Sequence, residues 1–121
     1  MNFAPLGLQE KNRRAVLAGL EEVTKPGGTA SGSAINVNGA KMGGKTGTSQ
    51  VRSISKAERM RGVLTNDQLQ WTMRNHGLFV GYAPTDNPRY AVCVVTEHSG
   101  GSGPAARTAA ALMRELLKEE K

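Results

Sequence analysis

The chain has 121 residues and a net charge of +6, enough for one small domain with a core, and only 4% of it is aromatic. Its basic residues are scattered and interrupted by Glu10, Glu21, Glu22, Glu58, Asp67 and Glu97, which points away from a nucleic-acid-binding stripe. One cysteine excludes an internal disulfide and a thiolate metal cluster, and His76 and His98 lack ligand spacing, so no metal site and no cofactor are expected.

Residues 1 to 7 read as an irregular lead-in, with no secretory signal pattern and no run long enough to span a membrane. Residues 8 to 23 read as a helix whose apolar stripe is Val16, Leu17, Leu20 and Val23. Lys25-Pro26-Gly27-Gly28 stops it. A small-residue loop follows to Asn38, with a short extended piece at residues 34 to 37.

Residues 42 to 52 bring together Lys45, Thr46, Gly47, Thr48 and Ser49. Two site types fit them. Gly39-Ala40-Lys41-Met42-Gly43-Gly44-Lys45-Thr46 spells a phosphate loop, in which backbone N–H groups cradle phosphate and the lysine meets the outer phosphates. That motif wants an apolar strand before it and a helix opening at Lys45. The residues before it are small and polar, and Gly47 with its β-branched neighbours disfavours a helix. The other reading is a strand edge. Threonines and Val51 favour extended backbone, and the glycines let another chain come close. Alternation puts Lys45, Gly47 and Ser49 on one face and Thr46, Thr48 and Gln50 on the other. Such an edge suits an extended peptide ending in a carboxylate.

Residues 52 to 76 read as a long, polar connection, helical in part, with capping boxes at Ser55-Lys56-Ala57-Glu58 and Thr65-Asn66-Asp67-Gln68. Residues 77 to 83 and 90 to 97 read as an antiparallel hairpin around Pro84-Thr85-Asp86-Asn87-Pro88. Their successive apolar residues predict cover on both faces, with Cys93 a buried small hydrophobe. After a glycine-rich loop, residues 104 to 118 read as a helix with Ala109, Leu112, Met113, Leu116 and Leu117 on its apolar face. The order helix, strand, connection, hairpin, helix predicts an α+β fold: a three-stranded antiparallel sheet with the N- and C-terminal helices packed on one face.

Four motifs in order carry a family resemblance: Gly44-Lys45-Thr46-Gly47-Thr48-Ser49-Gln50, Phe79-Val80-Gly81-Tyr82-Ala83-Pro84, Val92-Cys93-Val94-Val95 and Gly100-Gly101-Ser102-Gly103-Pro104-Ala105-Ala106. Together they resemble the C-terminal part of the transpeptidase domain of a class B penicillin-binding protein, most closely the branch that serves cell elongation. The likeness runs from about Leu8 onward and is weakest over residues 52 to 75.

The resemblance implies a partial β-lactamase/transpeptidase-like fold over residues 1 to 121, treated as one incomplete domain. It implies a serine-type D,D-transpeptidase that crosslinks peptidoglycan stem peptides and is acylated by β-lactams. Lys45 would supply positive charge in the cleft. The Thr46 and Thr48 hydroxyls would receive the substrate carboxylate, with Gly47 and Ser49 beside them. The Thr48 N–H would be half of the oxyanion hole. The family's Ser-x-x-Lys and Ser-x-Asn motifs precede Lys-Thr-Gly. Here Ser53-Ile54-Ser55-Lys56 follows it, and Ser-x-Asn is absent, so the nucleophile is expected in a segment not in this chain, leaving the chain inactive alone. Expected partners are the stem peptide, β-lactams, the missing N-terminal part of the domain and membrane proteins of the elongation machinery, with no nucleic acid. The expected location is the periplasmic side of the inner membrane, with the anchor outside this chain.

Overall fold

The computed structural model describes residues 4–119, so the first three residues of the expected lead-in lie outside the described residues. The chain forms helix α1 (Glu10–Glu22), strand β1 (Gly43–Ser49), short helix α2 (Lys56–Arg61), strands β2 (His76–Ala83) and β3 (Tyr90–Thr96), and helix α3 (Gly103–Glu119). The sheet order is β1-β2-β3, and both pairings are antiparallel. This is the expected α+β architecture. β1 is shorter than expected at both ends, and 3₁₀ turns at Ser31–Ser33, Asn66–Gln68 and Trp71–Met73 fill the loops.

The core lies between α3 and the sheet. Gly77, Phe79, Gly81 and Ala83 alternate along β2 toward this side, and all four are buried. Phe79 is fully buried, as are Ala105, Ala109 and Met113 of α3. Burying a phenylalanine contributes roughly 1.5–3 kcal/mol. Alanines on the inner stripe of α3 let its backbone approach β2 and β3. A Cβ at Gly81 would stand 2.7 Å from the Phe79 ring, so that glycine makes room for the central aromatic. The inner stripe of α3 is Ala105, Ala106, Ala109, Ala110, Met113 and Leu117. Leu112, expected on it, is 47% exposed, because the stripe is centred on the small residues one position away.

Two expectations fail on the opposite face. Cys93 is exposed rather than buried. It pairs across from Val80, which is 51% exposed, and Val95 is 55% exposed. Strand period places all three on the side away from α3, and among the described residues nothing covers that side as α3 covers the other. Runs of apolar residues in β2 and β3 therefore mark a sheet with two apolar faces, of which one is bare here. The stripe of α1 is likewise half covered: Leu17, Leu20 and Val23 are partly buried and Val16 is 63% exposed.

The extended piece expected at residues 34 to 37 is not a strand. Val37 instead bridges Ala40 across a tight turn in which Asn38 and Gly39 take positive φ of 52° and 88°. In the connection before β2, Ser55 caps α2 by accepting the Glu58 N–H, while the Glu58 carboxylate turns away to Arg52. Thr65 and Gln68 form the second capping box.

Candidate functional site

The residues singled out in the sequence, Lys45 to Ser49, all fall in β1. The phosphate-loop alternative fails at this point. Lys45 is mid-strand, and no helix opens there, so successive N–H groups alternate in direction instead of converging on one anion.

β1 pairs only with β2, so its outer side is an edge among the described residues. Main-chain groups of one residue point to one side of a strand, and the side alternates. The Thr46 carbonyl accepts the Lys45 ammonium at 2.8 Å, which places it on the outer side. Gly77's carbonyl accepts Thr96 Oγ1 at 3.2 Å on the β3 side, so Leu78 and Val80 turn toward β1, where they meet Gly47 and Lys45. Both observations leave the N–H and C=O groups of Gly44, Thr46 and Thr48 along the edge.

Side chains divide by the same parity. Lys45, Gly47 and Ser49 share the bare face with Leu78, Val80 and Cys93. Lys45, Thr48 and Ser49 are exposed, and Thr46 is half-buried toward the helix side. A Cβ at Gly47 would come within 3.3 Å of Leu78 Cβ, so a larger residue would push into the bare face beside Lys45. Gly44 is tighter: a Cβ there would meet the Phe79 ring and the Val80 carbonyl at 2.5 Å. These glycines keep the strand flat against its neighbour and its edge free of bulk.

Two contacts tie β1 to the turn that ends α1. Thr24, itself buried, donates its hydroxyl to the Met42 carbonyl at 2.7 Å. Thr29 and Thr46 share a hydroxyl–hydroxyl bond of 3.2 Å. Thr29 was not singled out in the sequence, because its partner is 17 residues away and nothing in a small-residue turn announces the contact. Behind the start of β1, burial pushes the Tyr82 hydroxyl upward in pKa, with Glu21 adding to it.

At the far end, Ser49 lies opposite His76. His76 Nδ1 accepts the His98 main-chain N–H at 2.8 Å, and the two rings stand 4.5 Å apart. Trp71 is 57% exposed and packs edge-on against His98. Ser53 is exposed, and Ser55 is occupied as the cap of α2. Among the described residues no three His, Cys, Asp or Glu side chains group as a metal site, and no helix is long and apolar enough to cross a membrane.

The model of the penicillin binding protein transpeptidase domain matches residues 7–118. Over 67 residues the chain is 45% identical to the peptidoglycan D,D-transpeptidase MrdA of Acinetobacter baumannii, covering 54% of this chain and 9% of that protein. Over 77 residues it is 36% identical to the protein of the same name from Escherichia coli (strain K12), covering 64% of this chain and 11% of that one. The chain thus spans about a tenth of the length of these curated relatives. A solved complex between penicillin-binding protein PBP2 and MreC from Helicobacter pylori superimposes with a TM-score of 0.65 at 25% identity, covering 93% of this chain and 18% of that one.

Proposed function

The chain belongs to the family of penicillin-binding protein transpeptidase domains, and on that premise we propose that it is the C-terminal portion of one such domain, in a peptidoglycan D,D-transpeptidase that serves cell elongation. The observation that carries this reading is the edge of β1. An extended peptide laid along it meets outward main-chain groups at Gly44, Thr46 and Thr48, and a cation at Lys45. Such an edge gives affinity through main-chain bonds and leaves specificity to the side chains.

In this reading a serine from the preceding part of the domain attacks the stem-peptide carbonyl, and an amine from a neighbouring strand resolves the acyl-enzyme. The Thr48 N–H, turned outward, stabilises the developing oxyanion. Losing one such donor typically costs ~3 kcal/mol of transition-state stabilisation. The Thr46 and Thr48 hydroxyls hold the substrate carboxylate, and Lys45 supplies the positive field that draws it in. Gly47 and Ser49 leave room beside the peptide. β-Lactams use the same contacts and stall at the acyl stage. The partners are the stem peptide, β-lactams, the rest of the domain and membrane proteins of the elongation machinery, and the site works on the periplasmic side of the inner membrane.

The test is incubation with a fluorescent penicillin, read by intact mass. This chain alone forms no adduct, because removing the nucleophile from a serine enzyme typically costs ~10⁶ in rate. Joined to the preceding part of the domain, the protein is labelled at one serine. A stoichiometric adduct on the chain alone overturns the reading, and mapping it to Ser53 would make Ser53-Ile54-Ser55-Lys56 the nucleophile motif.

A further inference from the structure

The turn between α1 and β1 is tightly built. Ala30 N–H donates to the Val23 carbonyl at 2.8 Å, and Gly28 N–H donates to the Lys25 carbonyl at 2.9 Å. A Cβ at Gly28 would stand 2.2 Å from the Glu22 carbonyl oxygen, so the turn closes onto the end of α1 with no space for a side chain. Thr24 anchors it to the Met42 carbonyl, and Ala30 is buried against the core. Thr29 sits between these two fixed points, and its hydroxyl lies 3.2 Å from that of Thr46. The turn therefore brackets β1 at two positions four residues apart, first on the main chain and then on a side chain.

The chemistry of that pair is directional. A threonine hydroxyl has one proton and two lone pairs, and an ionised carboxylate only accepts. If Thr46 gives its proton to a carboxylate, it has none left for Thr29. Thr29 must then be the donor, so the order is Thr29 to Thr46 to carboxylate. A donated bond at Thr46 Oγ1 fixes its rotamer and polarises its own O–H, as members of a hydrogen-bond chain strengthen one another.

We infer that Thr29 is a positioning residue of the carboxylate site: it touches no substrate, and it sets the rotamer and donor sense of Thr46 for the anionic end of the stem peptide or β-lactam. This rests on the transpeptidase reading above.

The experiment uses the longer protein and measures the second-order rate of acylation by a penicillin. Thr29→Val keeps the shape and removes the hydroxyl. It lowers the rate about three- to tenfold, the effect of one hydrogen bond to a group that itself binds a charge. The loss falls on the binding step, with the limiting acylation rate nearly unchanged. Thr29→Ser, which restores the hydroxyl, reacts within about twofold of wild type by the same reasoning. A penicillin esterified at its carboxyl reacts equally slowly with wild type and Thr29→Val. Equal rates of wild type and Thr29→Val with the free acid overturn the inference. So does a loss of the same size with the ester, which marks a merely structural effect, and so does failure of Thr29→Ser to recover. A wild-type protein that penicillin does not label at all overturns the transpeptidase reading itself, and the inference with it.

Discussion

The Lys45 ammonium rests 2.8 Å from the carbonyl oxygen of the next residue, Thr46, on the outer edge of β1. An extended ligand on that edge needs the same carbonyl as an acceptor. Lys45 is exposed and among the described residues its ammonium makes no other hydrogen bond, so Lys45→Ala leaves stability within about ±0.5 kcal/mol. In the longer protein the same change is expected to slow penicillin acylation by at least tenfold, through the lost positive charge. Thermal melts and acylation rates on one preparation check both halves. A large fall in melting temperature with little change in rate would make Lys45 a structural residue.

The glycines of the sheet differ in kind. A Cβ on Gly77 would stand 1.9 Å from the Gly101 carbonyl oxygen and 2.7 Å from Ser99 Oγ. Gly101 precedes α3, so Gly77→Ala forces main chain apart where the sheet meets the helix. The expected cost is at the upper end of the ~1–3 kcal/mol typical of overpacking. Gly47→Ala meets only Leu78 Cβ at 3.3 Å, on the bare face. It leaves the melting temperature nearly unchanged and lowers the acylation rate. Reversal of the two effects would contradict the placement of the site on β1.

The Arg52–Glu58 pair gives the connection before β2 a pH dependence. Its side chains are only 14% and 21% exposed, and both guanidinium nitrogens reach the carboxylate. The hydrogen bond from Arg52 holds the Glu58 carboxyl below its ordinary 4.5, burial opposes this, and the Arg52 charge adds to it. A carboxylate whose folded pKa is lowered contributes stability above the unfolded value and loses it as pH falls through the folded value. Amide resonances of α2 are therefore expected to stay constant from neutral pH to about 5 and to move only below 4.5, with Arg52→Gln raising the transition. A transition at or above 4.5 in the wild type would show that the pair does not form.

What the sequence made legible follows its local signals. β1, the hairpin and α3 were readable because threonines, apolar runs and the Pro104 start act within a few residues. The glycine-rich edge was readable because Lys-Thr-Gly is a short motif. The bare face was not, since the same apolar run in β2 and β3 specifies two apolar faces whether or not both are covered, and Cys93 was misplaced for that reason. Leu112 was misplaced because alanines, weak in any hydrophobic pattern, form the inner stripe of α3. Thr29 was missed because its role depends on a contact across a fold, which no spacing encodes.

Cys93 reports on the bare face directly. It is an exposed thiol opposite Val80, two strands from Lys45 on the same side of the sheet. Contiguous apolar surface of this sort marks a contact surface. The chain spans about a tenth of its curated relatives, so a large part of such a protein is available to cover it. In this chain alone, Cys93 is expected to react with a maleimide as fast as a small free thiol. In the longer protein the same cysteine is expected to be protected at least tenfold, with protection lost on denaturation. Cys93→Asp separates the two states further. On the open face of the isolated chain it costs little, whereas in the longer protein it places a charge in an apolar interface and destabilises it by several kcal/mol. Equal maleimide rates in the two proteins would mean that this face stays bare in the longer protein as well.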